Sequence, residues 1–553
     1  MAALDLVPGD ASHAGLAFPH ASQVQVHTSL CERQRRRRRY RKRPCPQSEH
    51  TDWSDAFAGG EPIVVRAVAA MLRSRAASSW EASYLEQHLP RVLVHESSSR
   101  TVQMMSVVQP LGSVATLRWA RPWTEVNVSS NCLLQPPQSS PCLSPLSPLT
   151  PPPPPTPPPT PPPPPPLPPQ GGTTPPQPLA EYAAPPPPSS WLYFVSAVDR
   201  LPSVLRADLG DLRSLSTPFA PVVETHVWVG TAGVSSPLHF DLAHNVYAQL
   251  RGRKRFLLFP PSATDALYVY PRLHPSSRQS QLDLRALPRS AFPRFHARLR
   301  QTGGRGGSGG VSSYRGGLQA REVVLEPGDV LYIPPYHWHR ASVVGDASAV
   351  AVGVYSRSYA QHVYSELKSH PLPWAHGCGM HERILRYREY AHALAAQLPP
   401  SLGRSHTTAG GFWCAVLHIC STVADSDADE DGGSLALSRL GSWVVERYEY
   451  IDDPTVVVGL PPLLTSARGH LARILRDTPH PLPPRRAQWV RSHARALTAR
   501  VRGLPSRGEE LPGEAWALEM MGLIEDVAHA VDGPELALAL LEWAAGCRLS
   551  WGS

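Results

Sequence analysis

The sequence predicts a mainly β fold, a sandwich or barrel, followed by an all-helical C-terminal region, and three observations predict it. Between residues 226 and 356 the chain breaks into short apolar runs separated by turn signals, the pattern of a β-sandwich or barrel. After Ser356 the apolar spacing changes from strand-like to helical. Proline, 63 residues in all, is concentrated in one place: 28 lie between Pro136 and Pro188, leaving 35 over the other 500 residues, an ordinary content for packed domains.

Residues 1–55 carry no periodic apolar pattern and are expected to be a disordered basic segment. Their run Arg35-Arg36-Arg37-Arg38-Arg39-Tyr40-Arg41-Lys42-Arg43 could address the chain to the nucleus or contact nucleic acid, or be a solvated tail with no such role. Globular pattern begins near residue 56, with a strand over Pro62–Arg66, a helix over Trp80–His88 and a strand over Arg91–His95. The proline tract 136–188 can only be polyproline II or coil, so it reads as an insertion, either an inert spacer or a segment that docks on aromatic grooves of partners.

From Trp191-Leu192-Tyr193-Phe194 the globular pattern resumes. Strands are expected over His226–Gly230, Leu238–Leu250, Arg255–Phe259, Glu322–Leu325, Asp329–Ile333, Trp338–Val344 and Ala349–Tyr355, with turns at Arg251-Gly252-Arg253 and Pro327-Gly328-Asp329. The Gly-rich loop at 302–317 contains two Arg-Gly-Gly triplets, which could touch RNA but fit a flexible loop beside the sheet. Region 357–553 is expected to be helical, with helices near 379–397, 412–423, 439–449, 465–476, 487–502, 515–530 and 534–545.

Composition narrows the function classes. A net charge of +8 is too modest to argue for a nucleic-acid binder. Eight scattered cysteines without a CxxC pair exclude a zinc ribbon and a disulfide scaffold. No apolar run is long enough to span a bilayer, so a soluble intracellular protein of nucleus or cytoplasm, without membrane attachment, is expected.

Two histidines and a carboxylate can hold three adjacent corners of a ferrous ion and leave the others for co-substrate and O2. His239-Phe240-Asp241 offers two of these donors two residues apart, on one face of the predicted strand. With 24 histidines in the chain such a pair arises by chance, and its surroundings lift it. Asn245 and Tyr247 keep the same parity, the next strand brings Lys254, one of three lysines, and His337-Trp338-His339 follows on another strand. A lysine inside a barrel costs several kcal/mol unless an anion meets its ammonium, and a dicarboxylate would do so. Spacing alone leaves His337 and His339 open as the third ligand.

The runs Ser236-Pro237-Leu238-His239-Phe240-Asp241, Asn245 and Gln249–Pro261 resemble the core of the JmjC (cupin-8) iron(II)/2-oxoglutarate oxygenases. His274-Pro275-Ser276-Ser277-Arg278-Gln279-Ser280-Gln281 and Pro327–His339 agree with it, and within that family the asparaginyl hydroxylases are most similar. The resemblance is strong over 226–356 and weaker over 57–125 and 191–225. It implies a double-stranded β-helix (cupin, jelly-roll) barrel with flanking helices, spanning 56–356. It implies iron ligation by His239, Asp241 and His339, with the ligand following the tryptophan, so that His337 is set aside.

It further implies co-substrate contacts from Lys254, Ser236, Asn245 and Tyr193, and substrate contacts from Arg278 and Gln279. The cofactors implied are Fe(II), 2-oxoglutarate and O2, and the products beside the oxidised substrate are succinate and CO2. One departure stands near Gly353, where the family has an asparagine on the co-substrate and this chain offers no amide.

The function expected is hydroxylation of a protein side chain. Lysine demethylation, hydroxylation of a tRNA base, and an inactive cupin serving as an interaction scaffold are the alternatives. No chromatin-reader motif accompanies the barrel, which lowers demethylation. The C-terminal helices could dimerise the protein, present a substrate or only cover the barrel. Asp427-x-Asp429-x-Asp431-Gly432 begins like a calcium loop but reaches Ser438 where a carboxylate is required, so it reads as an acidic surface loop.

Overall fold

A computed structural model describes residues 60–66, 74–97, 124–129, 131–134, 191–210, 212–215, 221–264, 266–270, 276–280, 292–302, 318–375, 377–395, 469–476, 482–506 and 509–544, with a few isolated positions and four short strand segments besides. The arginine run 35–43, the proline tract, the Gly-rich stretch 303–317, the acidic loop and the predicted helices 412–423 and 439–449 lie outside the described residues.

The strands are β1 (Ser22–Gln23), β2 (Gln25–His27), β3 (Ile63–Val65), β4 (Arg91–Ser97), β5 (Ser106–Val108), β6 (Arg118–Ala120), β7 (Thr124–Ser129), β8 (Trp191–Ala197), β9 (Val222–Gly230), β10 (His244–Arg251), β11 (Arg253–Phe259), β12 (Arg321–Leu325), β13 (Val330–Ile333), β14 (Trp338–Val344) and β15 (Ala349–Ser356). The principal helices are α1 (Arg75–Ser79), α2 (Ala82–His88), α3 (Asn131–Leu134), α4 (Ser203–Leu209), α5 (Pro293–Thr302), α6 (Tyr359–Ser369), α7 (Met380–Ala395), α8 (Pro484–Arg502) and α9 (Gly513–Ala544).

Two mainly antiparallel sheets carry the barrel. The larger runs β2-β3-β13-β10-β15-β9-β8-β4-β7 and the smaller β1-β12-β11-β14. In the central strands alternate residues serve two cores, as the two-residue period of a strand requires. Tyr247, Leu331 and Ala351 face inward to Phe256, Leu258 and Leu325 of the small sheet. Val246, Ala248, Val350, Val352 and Val354 face outward to Trp80, Leu85, Leu205 and Leu209 of the helices. Burial on both faces explains the continuous apolar run of β15.

The hairpin between β10 and β11 turns at Gly252, whose φ of +63° is the left-handed region open to glycine. A Cβ there would also meet Ala349 Cα at 2.9 Å.

Asp208 of α4 anchors the outer layer. Its buried carboxylate accepts hydrogen bonds from Trp80 Nε1 (3.1 Å) and Tyr84 Oη (2.7 Å).

The C-terminal helices pack on the outside of the small sheet, where Phe240, Phe259 and Trp338 share one core with Tyr387, Val490, Met520 and Ile524. The helices predicted over 515–530 and 534–545 are the two halves of α9, which breaks at Asp532 and Gly533. Helix α6 falls in the C-terminal region expected to be helical, ahead of the first helix marked there, whereas α4 and α5 stand where no element was marked, because short amphipathic segments give too few turns to show a period. No described helix is long and apolar enough to cross a membrane.

One correction bears on the site. The strand expected over 238–250 is two segments. Ser235 and His239 bridge to Ser342 and His339 at the edge of the small sheet, whereas residues 244–251 form β10 in the large one. The chain crosses between sheets at Asp241–Ala243, so parity along one strand does not relate His239 to Tyr247.

Candidate metal centre

His239 and His339 form a cross-strand pair. Their backbones exchange two hydrogen bonds, His239 N to His339 O at 3.1 Å and His339 N to His239 O at 2.7 Å, which puts both side chains on the same face. The ring centroids are 4.2 Å apart. Asp241, at the crossing, is held by Tyr336 N–H on its carbonyl (2.8 Å) and by Asn245 Nδ2 on its carboxylate (3.4 Å).

One donor atom from each of His239, Asp241 and His339 lies within 4.8 Å of the others, and His339 Nε2 is 3.7 Å from Asp241 Oδ2. Both Nδ1 atoms face their own chain, His239 on the Pro237 carbonyl (2.8 Å) and His339 on the His337 carbonyl (3.0 Å). A carbonyl can only accept, so each Nδ1 carries a proton, the arrangement that leaves Nε2 as the nitrogen turned to the centre for binding an ion. Burial, and His239 beside it, hold His339 neutral well below the usual histidine range, against the pull of Asp241. Two imidazole nitrogens and a carboxylate oxygen fit a first-row divalent ion.

His337 is buried, its pKa pushed down to about 3 mainly by desolvation, and it stands outside this group of donors. Its backbone carbonyl is what orients His339.

Lys254 lies inside the barrel, 3% exposed, with no carboxylate paired to it among the described residues. Its ammonium sits 5.4 Å from the centroid of Tyr247 and 6.0 Å from that of Tyr193. Burial lowers its pKa from 10.5 to about 7. Burial likewise pushes Tyr193 and Tyr247 up, so both stay neutral phenols. The Tyr247 hydroxyl and Asn245 Oδ1 are buried without a hydrogen-bond partner, as expected where a polar molecule would complete the cavity.

Ser236 accepts from Ala341 N–H (3.0 Å), leaving its own hydroxyl hydrogen available. Gln279 bridges to His239 through the backbone and has a buried Oε1 without a partner. Arg278 is exposed beside it, with φ +71°.

Three neighbours escaped the sequence reading. Tyr355 accepts from Asn245 Nδ2 (3.2 Å). Trp228 stacks on Tyr247 at 5.4 Å between centroids. Tyr336, with φ +61°, hydrogen-bonds Glu519 of α9 at 2.8 Å. Tyr355 lies opposite Asn245 in the β10–β15 register, a pairing that no local spacing encodes.

Residues 196–360 match the model of the cupin-like domain family. This segment is a cupin-like domain of the JmjC class. The chain is similar to the Lysine-specific demethylase JMJ30 of Arabidopsis thaliana, 32% identical over 130 residues, or 24% of this chain and 23% of that protein. It is also similar to the tRNA wybutosine-synthesizing protein 4 of Aspergillus oryzae, at 31% over 182 residues, 31% of this chain and 15% of that one. Lysine-specific demethylase 8 of Xenopus tropicalis is 33% identical over 119 residues, 21% and 22% of the two chains. The match thus spans less than a quarter of each of these relatives, and the helices after the cupin-like domain fall outside the family match.

Proposed function

We propose that this protein is an Fe(II)- and 2-oxoglutarate-dependent dioxygenase that hydroxylates a protein side chain. The observation that carries the reading is the convergence of His239, Asp241 and His339 donor atoms within 4.8 Å inside a cupin-like barrel. These three residues would hold the ion. Lys254 would meet the distal carboxylate of 2-oxoglutarate in a charge-assisted contact, which gives the buried ammonium the anion it lacks. Asn245, Ser236 and Tyr193 would complete that end of the cavity, and Arg278 and Gln279 would contact the substrate.

When bound, the ferrous ion supplies the O2 chemistry that couples decarboxylation of 2-oxoglutarate to oxidation of a C–H bond. The chain's own part is to fix the donors, shield the cavity from solvent and position the C–H. Lysine demethylation is the second reading, favoured by two of the relatives carrying that activity in their names.

The test is anaerobic addition of Fe(II) to metal-free protein followed by titration with 2-oxoglutarate. A weak visible charge-transfer band is expected, absent in His239→Ala and weakened in Lys254→Ala. Well-folded protein that gives no band would refute the enzyme reading and leave a cupin scaffold.

A further inference from the structure

The C-terminal helix α9 places a buried carboxylate directly behind the metal centre. Glu519 is 4% exposed, and its two oxygens accept from different partners: Oε1 from Tyr336 Oη at 2.8 Å and Oε2 from Arg272 Nη1 at 2.9 Å. Arg272 is also paired through Nε with Asp526, about two turns further along α9, at 3.1 Å. Its guanidinium passes over Gly522, where a Cβ would stand 2.5 Å from Nη1 and 2.6 Å from Cδ. A carboxylate buried this deeply costs several kcal/mol and is retained only with such partners.

What Glu519 holds is the residue that links the two ligand-bearing segments. Tyr336 donates its backbone N–H to the carbonyl of Asp241, and it lies three residues before His339. Its ring stacks on Phe240, between His239 and Asp241 in the chain, at 5.3 Å and 28°. Phe240 in turn meets Trp338, the neighbour of His339, edge to face at 4.9 Å. Tyr336 adopts φ +61°, a backbone state that costs about 1–3 kcal/mol in a non-glycine residue and persists only where its surroundings fix it. The Tyr336 hydroxyl is the handle by which they do so.

We infer that Glu519 is a positioning residue for the metal centre: through Tyr336 it fixes the spacing of Asp241 and His339, which makes α9 a working part of the oxygenase site. The inference rests on the proposed metal site, and Co(II) serves as its probe. Glu519 is not among the grouped donors, so its effect reaches the site through Tyr336, by the backbone bond to Asp241 and the ring contact with Phe240.

The experiment is Co(II) titration of the full-length metal-free protein, read by its visible ligand-field spectrum and by equilibrium dialysis. Tyr336→Phe, which keeps the ring, should weaken Co(II) binding about tenfold and change the spectrum, as loss of a group supporting a ligand typically does. Glu519→Ala should do the same, the double variant should be no worse than either single one, and Glu519→Gln should recover much of the loss because its amide oxygen can still accept from Tyr336. Asp208→Asn, which damages a buried network on the far side of the large sheet, is the control, expected to lower thermal stability without touching the spectrum. Wild-type affinity and spectrum in a folded Tyr336→Phe would overturn the inference alone. Wild-type protein that takes up no Co(II), or takes it up equally after His239→Ala, would overturn the metal-site reading and the inference with it.

Discussion

Trp228 occupies the volume that a side chain at residue 353 would need. A Cβ on Gly353 would stand 2.5 Å from Cζ3 of the indole and nearer still to Cη2, with Asn245 Oδ1 at 3.5 Å. The indole, stacked on Tyr247, forms an aromatic wall beside Asn245 that leaves no room for a side chain at residue 353.

Gly353→Ala should accordingly destabilise the fold by about 1–3 kcal/mol through overpacking. In a Trp228→Ala background the same change should cost less than about 0.5 kcal/mol, since the colliding ring is gone. Urea denaturation of the four proteins measures the cycle, and an equal cost in both backgrounds would show that the collision is relieved elsewhere.

Lys254 gives the protein a pH dependence of definite sign. In the unfolded chain its ammonium persists to about its ordinary pKa of 10.5, whereas in the fold the proton leaves near 7. Between those values the unfolded chain binds the extra proton, so stability rises with pH through the window; below about 7 both states are charged and the cost is complete. Lys254→Met should therefore stabilise metal-free protein at pH 7 by up to about 4 kcal/mol, an advantage that shrinks toward pH 10. A pH-independent difference between the two proteins would count against the assignment.

The same group predicts proton uptake on ligand binding. At pH 8 the empty cavity holds a mostly neutral lysine, and a dicarboxylate that pairs with it must recharge it. Calorimetry of 2-oxoglutarate binding in two buffers of different ionisation enthalpy should show uptake of a fraction of a proton, lost in Lys254→Met.

For the metal ligands, His339→Ala and Asp241→Ala should each lose Co(II) binding by about 100-fold or more, each change removing one of only three donors. His337→Phe should stay within about tenfold of wild type, since only its backbone carbonyl touches His339. Saturation at 100 times the dissociation constant should raise wild-type stability by about 2.7 kcal/mol, and a chelator should remove that gain.

Asp208→Ala should destabilise by about 2–4 kcal/mol, because it leaves the Trp80 and Tyr84 donors without their acceptor. Thermal unfolding reads the loss, and Asp208→Asn, which keeps one oxygen, should lose less.

The sequence by itself determined the strand-rich barrel, the break into helices after Ser356 and the residue types of the donor set, because these are written in local periodicity and in short motifs. His239 and Asp241 stand two apart, and Lys254 is conspicuous in a chain whose cations are nearly all arginine. Only the tertiary structure decided how the donors meet: His239 and Asp241 straddle a crossing between sheets, and His239 faces His339 through a ladder joining residues 100 positions apart. It also decided that Trp228 fills the space at Gly353 and that Glu519 reaches Tyr336 from 183 residues away. Such pairings depend on register and packing between distant segments, and a one-dimensional pattern carries the period of each segment but not the partner it will meet.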